Sequence, residues 1–156
     1  MQETRGKMSI RALALITLIA CLGCDARLPA GDAKVLRLGG LAREDTIAAA
    51  PPEEAVRLYL LTVQHIRPFD VRSQNVIARR GDEVAVALTR ELESASTDVV
   101  RWGCIVALGR MDDVHAGLVS RDSSRMRVVG VAIGVMRDGF YREDSQGVLD
   151  HLRSGR

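Results

Sequence analysis

The sequence predicts an all-α fold, a short stack of helical hairpins preceded by a signal peptide and a flexible tether. Three observations carry that expectation. Hydrophobic residues make up 47% of the 156 and aromatic residues only 3%. Such an aliphatic core suits helices packed on helices better than a sandwich, whose strands favour Tyr, Phe and Thr. From residue 52 onward apolar positions recur at helical spacing, with Pro, Asp and Gly where helices start and stop. Before residue 52 there is a short apolar run and then a stretch broken by Pro and Gly. The length allows one domain. The expected division is a signal peptide over 1–20, a tether over 21–51 and a helical domain over 52–156.

The signal peptide comes first. Arg5, Lys7 and Arg11 precede the apolar run Ala12 to Ala20. Continued through Gly23, that run is about a dozen residues, too short to cross a ~30 Å hydrocarbon core as a helix. A basic start, a short apolar stretch and small residues after it are the pattern of an export signal. Translation starting at Met8 instead of Met1 would shorten it. Arg5, Lys7 and Arg11 against Glu3 also account for the whole formal charge of +2. The remainder is neutral, which leaves no electrostatic footprint for nucleic acid or anionic lipid. Only Lys7 and Lys34 are lysines, an arginine bias that reads as codon composition.

Leu18-Ile19-Ala20-Cys21 resembles the lipobox of bacterial lipoproteins. That resemblance implies a diacylglyceryl thioether on Cys21, cleavage before it, and usually acylation of the new N-terminus. Two or three fatty chains anchor a protein stably where one does not. Cys24, preceded by Gly23, is the alternative site, with Cys21 in the place of the motif's Leu; a start at Met8 favours it. The choice bears on location within the cell envelope, facing the periplasm. Asp25 after Cys24 resembles an inner-membrane retention signal, whereas Leu22 after Cys21 permits sorting to the outer membrane. A disulfide with Cys104 is the competing use in an oxidising compartment, but Cys104 sits in an apolar helical run and reads as a small core residue.

From Asp25 to Pro52 the residues Pro29, Gly31, Gly39, Gly40 and Pro51 interrupt any period, so a tether is expected. Leu36, Leu38 and Leu41 are placed to pack on the domain if this arm is ordered instead. Pro51-Pro52-Glu53-Glu54 opens the first domain helix, with proline in the first turn and carboxylates at the positive end of the dipole. Val56, Tyr59, Val63 and Ile66 form its stripe, and Pro68 ends it. Asp70 caps a second helix with Val71, Val76 and Ile77, closed by Gly81. Asp82 caps a third, with Val84, Leu88 and Leu92. Asp98 caps a fourth, Val99 to Met111, in which Trp102, Ile105 and Val106 spread the apolar surface almost all round, the mark of a helix buried between neighbours.

The run from Asp98 to Asp112 resembles the second helix of a HEAT-like repeat, of the short type also found in phycobilisome lyases. The matching residues are Asp98, Val100, Arg101, Gly103, Cys104, Ala107, Leu108 and Gly109. The resemblance implies an α-solenoid-like stack in which Gly103 and Cys104 let helices approach and Asp98 and Arg101 form a structural polar pair. Asp82 to Glu93 stands as the first helix of that repeat. Weaker copies are Asp70-Val71-Arg72 and, 26 residues beyond Val100-Arg101, Met126-Arg127 with the apolar run Val128 to Met136. Val114 to Val119 is too short for a regular helix of the series. Asp144 to Arg153 offers a terminal helix through Val148, Leu149 and Leu152. Such stacks need about three units to bury a continuous core.

No catalytic residue, metal site or cofactor is expected. His65, His115 and His151 are far apart, and no phosphate loop, nucleophile elbow or thiol pair with redox spacing appears beyond the cysteines that processing explains. Asp112-Asp113 and Glu53-Glu54 sit at helix ends, where capping accounts for them. Two functions remain, with a purely structural envelope protein as a third. One is a lipid-anchored module that binds or scaffolds a protein partner through a groove. Arg57, Arg79, Arg80, Arg90 and Glu91 would decorate such a surface, although each also fits a plain solvated face. The other is a small-ligand carrier or enzyme using an apolar crevice between helices, as the lyase resemblance implies; fold analogy is a poor warrant for activity.

Overall fold

Proline, aspartate and glycine mark most helix boundaries as the sequence implies. The computed structural model describes residues 28–155. Among them are eight helices and no strand: α1 (Ala30–Arg37), α2 (Gly40–Ala49), α3 (Pro52–His65), α4 (Val71–Ala78), α5 (Asp82–Ser94), α6 (Asp98–Val114), α7 (Ser123–Val135) and α8 (Gly139–Ser154). Pro52 occupies the first position of α3. The Asp70 carboxylate accepts from the Arg72 N–H at the start of α4. Asp122 and Asp138 do the same for α7 and α8. Gly81, at φ +80°, turns the chain into α5 in a conformation that L side chains rarely adopt.

Alternate helices pack side by side. α2, α4, α6 and α8 contact one another in series, and α3, α5 and α7 do likewise. The first series runs parallel, as its side chains record. Arg43 of α2 meets Asp70 at 2.8 Å, and Arg80, just past α4, donates to the carbonyl oxygens of Ala48 and Ala50. Phe69 packs on Trp102, Gln74 donates to the Val106 carbonyl, and His115 meets the Ala78 carbonyl. Trp102 donates to Asp144 and His151 meets Asp113. Each pairing advances along both helices together. α5 and α7 also run alike, with Arg125 bonded to Asp82 near their starts and Leu92 beside Ala132 and Val135 near their ends.

α6 lies at the centre and touches α3, α4, α5, α7 and α8. Cys104, Ile105, Ala107, Leu108 and Met111 are fully buried along it. Burying a leucine or isoleucine side chain contributes roughly 1.5–3 kcal/mol. The aliphatic core joins these residues to Val56, Tyr59 and Val63 of α3, Val84 and Leu88 of α5, Val129 and Ile133 of α7, and Leu149 and Leu152 of α8.

Several expectations are corrected. The stretch read as a tether contains two helices, Ala30–Arg37 and Gly40–Ala49. Ile47 is completely buried in the core, and the Arg43 side chain is about 10% exposed against Asp70. The glycines hid this: Gly39 and Gly40 stand where α2 begins, and α2 buries only Ile47 and Arg43, too few for an apolar stripe. Residues 21–27 lie outside the described residues. Asp82 and Asp98 are the first residues of α5 and α6, not their caps; Gly81 and Thr97 hold the cap positions. Val114 to Val119 is the end of α6 and a turn, in which Asp112 Oδ1 accepts from the Val119 and Ser120 N–H groups. α8 starts at Gly139 rather than Asp144, because Asp138 caps it through the Tyr141 N–H. α7 packs against α5, so the element in line with α6 on that side is α8; the Met126-Arg127 copy belongs to the other series.

Candidate functional site

All eight residues on which the repeat resemblance rests lie on α6, where they pack against its neighbours. A Cβ on Gly103 would stand 2.9 Å from Val63 Cγ1 and 3.1 Å from Leu60 Cδ2. α3 can lie so close only because no side chain intervenes. The Gly103 carbonyl there accepts the buried Tyr59 hydroxyl at 2.9 Å. A Cβ on Gly109 would stand 2.5 Å from Val148 Cγ1, so α8 is admitted in the same way. Cys104, Ala107 and Leu108 are core, and Val100 packs at its edge.

Asp98 has two carboxylate oxygens and uses both. Oδ1 accepts from Arg101, and Oδ2 accepts from the Arg137 and Asp138 N–H groups that lead into α8. Those two N–H donors, then Arg101, hold the Asp98 carboxyl below the usual carboxylate range despite partial burial. Arg101 also reaches back to the Ala95 carbonyl. Arg43, two helix pairs earlier on α2, likewise bonds a carbonyl just before its own helix, that of Leu38, but takes its carboxylate partner, Asp70, from the start of α4. Burial alone would raise the Asp70 carboxyl; the hydrogen bonds from Ser73 and Arg43 outweigh it and lower it. The Cys104 thiol is pushed up by burial and by the Glu91 charge, and the Tyr59 hydroxyl by burial. A thiol held neutral is a poor nucleophile.

Asp113 pairs with His151 at 2.8 Å, and His115 meets a carbonyl. These contacts tie α8 to α6 and the α6 end to α4. Among the described residues no group of three His, Cys, Asp or Glu side chains is arranged to hold a metal ion. Cys21 and Cys24 lie outside the described residues.

A groove of about 390 Å³ lies between α5 and α7. Leu92, Val128, Val131, Ala132 and Val135 give it an aliphatic floor, with Glu93, Arg101 and Arg127 at the rim. Val131 is 64% exposed and Val135 55%. The sequence shows the apolar run, but not which of its valines are left uncovered, because that depends on how far α5 overlaps α7.

A second surface feature escaped sequence reasoning. Four of the chain's five aromatic residues form one line: Phe69, Trp102, Tyr141 and Phe140 follow each other with ring centroids 4.9, 5.5 and 5.5 Å apart. They come from three segments with no common period, so only the parallel alignment of α4, α6 and α8 brings them together. No family model, curated protein or solved structure matches this chain.

Proposed function

We propose that the protein is a lipid-anchored helical-repeat module of the bacterial cell envelope that binds a protein partner in the groove between α5 and α7. The single observation that carries the partner reading is that groove: an open aliphatic floor in which Val131 and Val135 are more than half exposed. A helix laid in a groove, with apolar anchors every three or four residues, is a recurring mode of peptide recognition. The parallel series α2, α4, α6 and α8, with α3, α5 and α7 returning between its members, supports the reading of a short α-solenoid-like, HEAT-like stack. So do the close approaches at Gly103 and Gly109. The anchor reading rests on Leu18 to Cys21, the basic residues before them and the short apolar run.

The crevice-using carrier or enzyme is the less supported reading. The groove is lined chiefly by aliphatic carbon, while the side chains with displaced ionisation that bear on chemistry, Tyr59 and Cys104, are sealed in the core. Two measurements test the proposal together. Mass spectrometry of the N-terminal peptide from membranes is expected to find the fatty chains on Cys21, and Cys21→Ser is expected to release the protein from membranes. Full lipid attachment at Cys24 in that variant would move the anchor, and an unmodified leader would remove it. A partner co-isolated with the native protein is expected to be lost from Val131→Asp. A Val131→Asp variant that keeps every partner denies the groove its role.

A further inference from the structure

We infer that the end of the domain built from the starts of α2, α4, α6 and α8 rests on the bilayer surface. Six large hydrophobic side chains are well exposed among the described residues, and four of them lie at this end: Leu41, Val71, Phe140 and Val135, the last residue of α7. Leu41 is the second residue of α2 and 71% exposed, Val71 the first of α4 and 56% exposed, and Phe140 the second of α8 and 70% exposed. They lie along a row of helix starts, a ridge whose middle is aromatic. The starts of α2 and α4 touch, a Cβ on Gly40 standing 3.3 Å from the Arg72 guanidinium. From Phe69, beside Val71, the line of aromatic rings then continues through Trp102 and Tyr141 to Phe140.

The composition of the ridge fits a membrane interface. Aromatic rings with a polar edge favour the boundary between water and hydrocarbon. Trp102 is of that kind, its indole N–H satisfied by Asp144. Arg67, Arg72, Arg137 and Arg142 are exposed around the ridge, balanced by exposed Glu143 and Asp144 and by Glu44, 3.9 Å from Arg72. Asp70, Asp98 and Asp138 are occupied by hydrogen bonds to Arg43, to Arg101 and to backbone N–H groups. The chain supplies the other argument. Cys21 precedes Gly31 by ten residues and Cys24 by seven, at most ~35 Å and ~25 Å of extended backbone. On the lipid-anchor reading, on which this inference rests, that length holds the domain beside the bilayer. A weak apolar contact then acts at high effective concentration. The domain is neutral, so Leu41, Val71 and Phe140 supply the contact and added salt changes it little.

Trp102 is the sole tryptophan and reports on this end directly. The lipid-bearing protein is placed in phosphatidylcholine vesicles containing lipids brominated near the headgroup, and tryptophan fluorescence is measured. Quenching is expected, with most of it lost in Phe140→Asp and in Leu41→Asp, whose side chains are too exposed to matter to the core. Val114→Asp, at the opposite end of α6 and 45% exposed, is expected to leave it intact. Native protein that floats with the vesicles while Trp102 stays unquenched overturns the docking and spares the anchor. Protein that neither floats nor carries lipid overturns the anchor and the docking with it. Loss of a co-isolated protein on Phe140→Asp, with no quenching in the native form, assigns the ridge to a protein and also overturns the inference.

Discussion

At Gly103 a methyl group in place of a hydrogen would press on Val63 and Leu60 at 2.9 and 3.1 Å. Val63 is completely buried and β-branched, so it has little room to turn. Gly103→Ala is therefore expected to cost about 1–3 kcal/mol of overpacking, exceeding the helix propensity alanine returns. Gly134 has open space around it, and Gly134→Ala is expected to stabilise by about 0.5–1 kcal/mol. Opposite shifts of the urea midpoint test the pair; two shifts of the same sign would refute the close-approach account. Asp98 adds a pH dependence. Its carboxyl ionises more readily folded than unfolded, so it contributes stability above the ordinary carboxylate value of 3.8, lost as pH falls through the lower folded value. Asp98→Asn is expected to be less stable at neutral pH and to lose less than the native protein on going to pH ~3. Parallel loss curves would deny Asp98 that part.

Among the elements α6 decides the most, because five other helices lean on it. Leu108 is completely buried at its centre. Leu108→Ala is expected to cost about 2–5 kcal/mol. Leu108→Asp would place an unpaired charge there and unfold the domain, read as loss of the helical circular dichroism signal. A spectrum unchanged by Leu108→Asp would contradict the central position of α6. α6 was also the most legible helix, since its all-round apolar surface has no explanation except burial on several sides. α2 was the least legible. It buries Arg43 beside Ile47, and an arginine announces solvent until its partner, Asp70, is known to lie across from it.

At the scale of the whole molecule, α2 extends the parallel series and is part of the fold. A chain cut before Pro51 would uncover the surface beneath Ile47 and leave Asp70 without Arg43. Breaking a buried ion pair by removing one partner costs about 3–5 kcal/mol, so the shortened chain is expected to melt well below the protein that retains α2. Equal melting temperatures would return residues 30–49 to the status of a tether. The ion pairs elsewhere are mostly between exposed side chains, such as Arg90 with Glu53, and contribute little. Cohesion comes from aliphatic burial and from the backbone bonds that Arg43, Arg101 and Arg125 make to the loops before their helices.

The sequence by itself determined the all-α class, the extent of α3 and the aspartate that opens α4. These depend on local spacing, on proline's fixed geometry and on side chains that reach only two or three residues along the chain. The cap at Asp138 went unnoticed because Gly139-Phe140-Tyr141 has no helical stripe of its own; Trp102 on another helix covers Tyr141. Tertiary structure alone decided that α2 belongs to the core, that α7 lines up with α5, and that Val131 and Val135 stay uncovered. It alone gathered Phe69, Trp102, Tyr141 and Phe140. Each of those outcomes is a property of two surfaces meeting, and a one-dimensional pattern carries the chemistry of each surface without recording which other surface it will face.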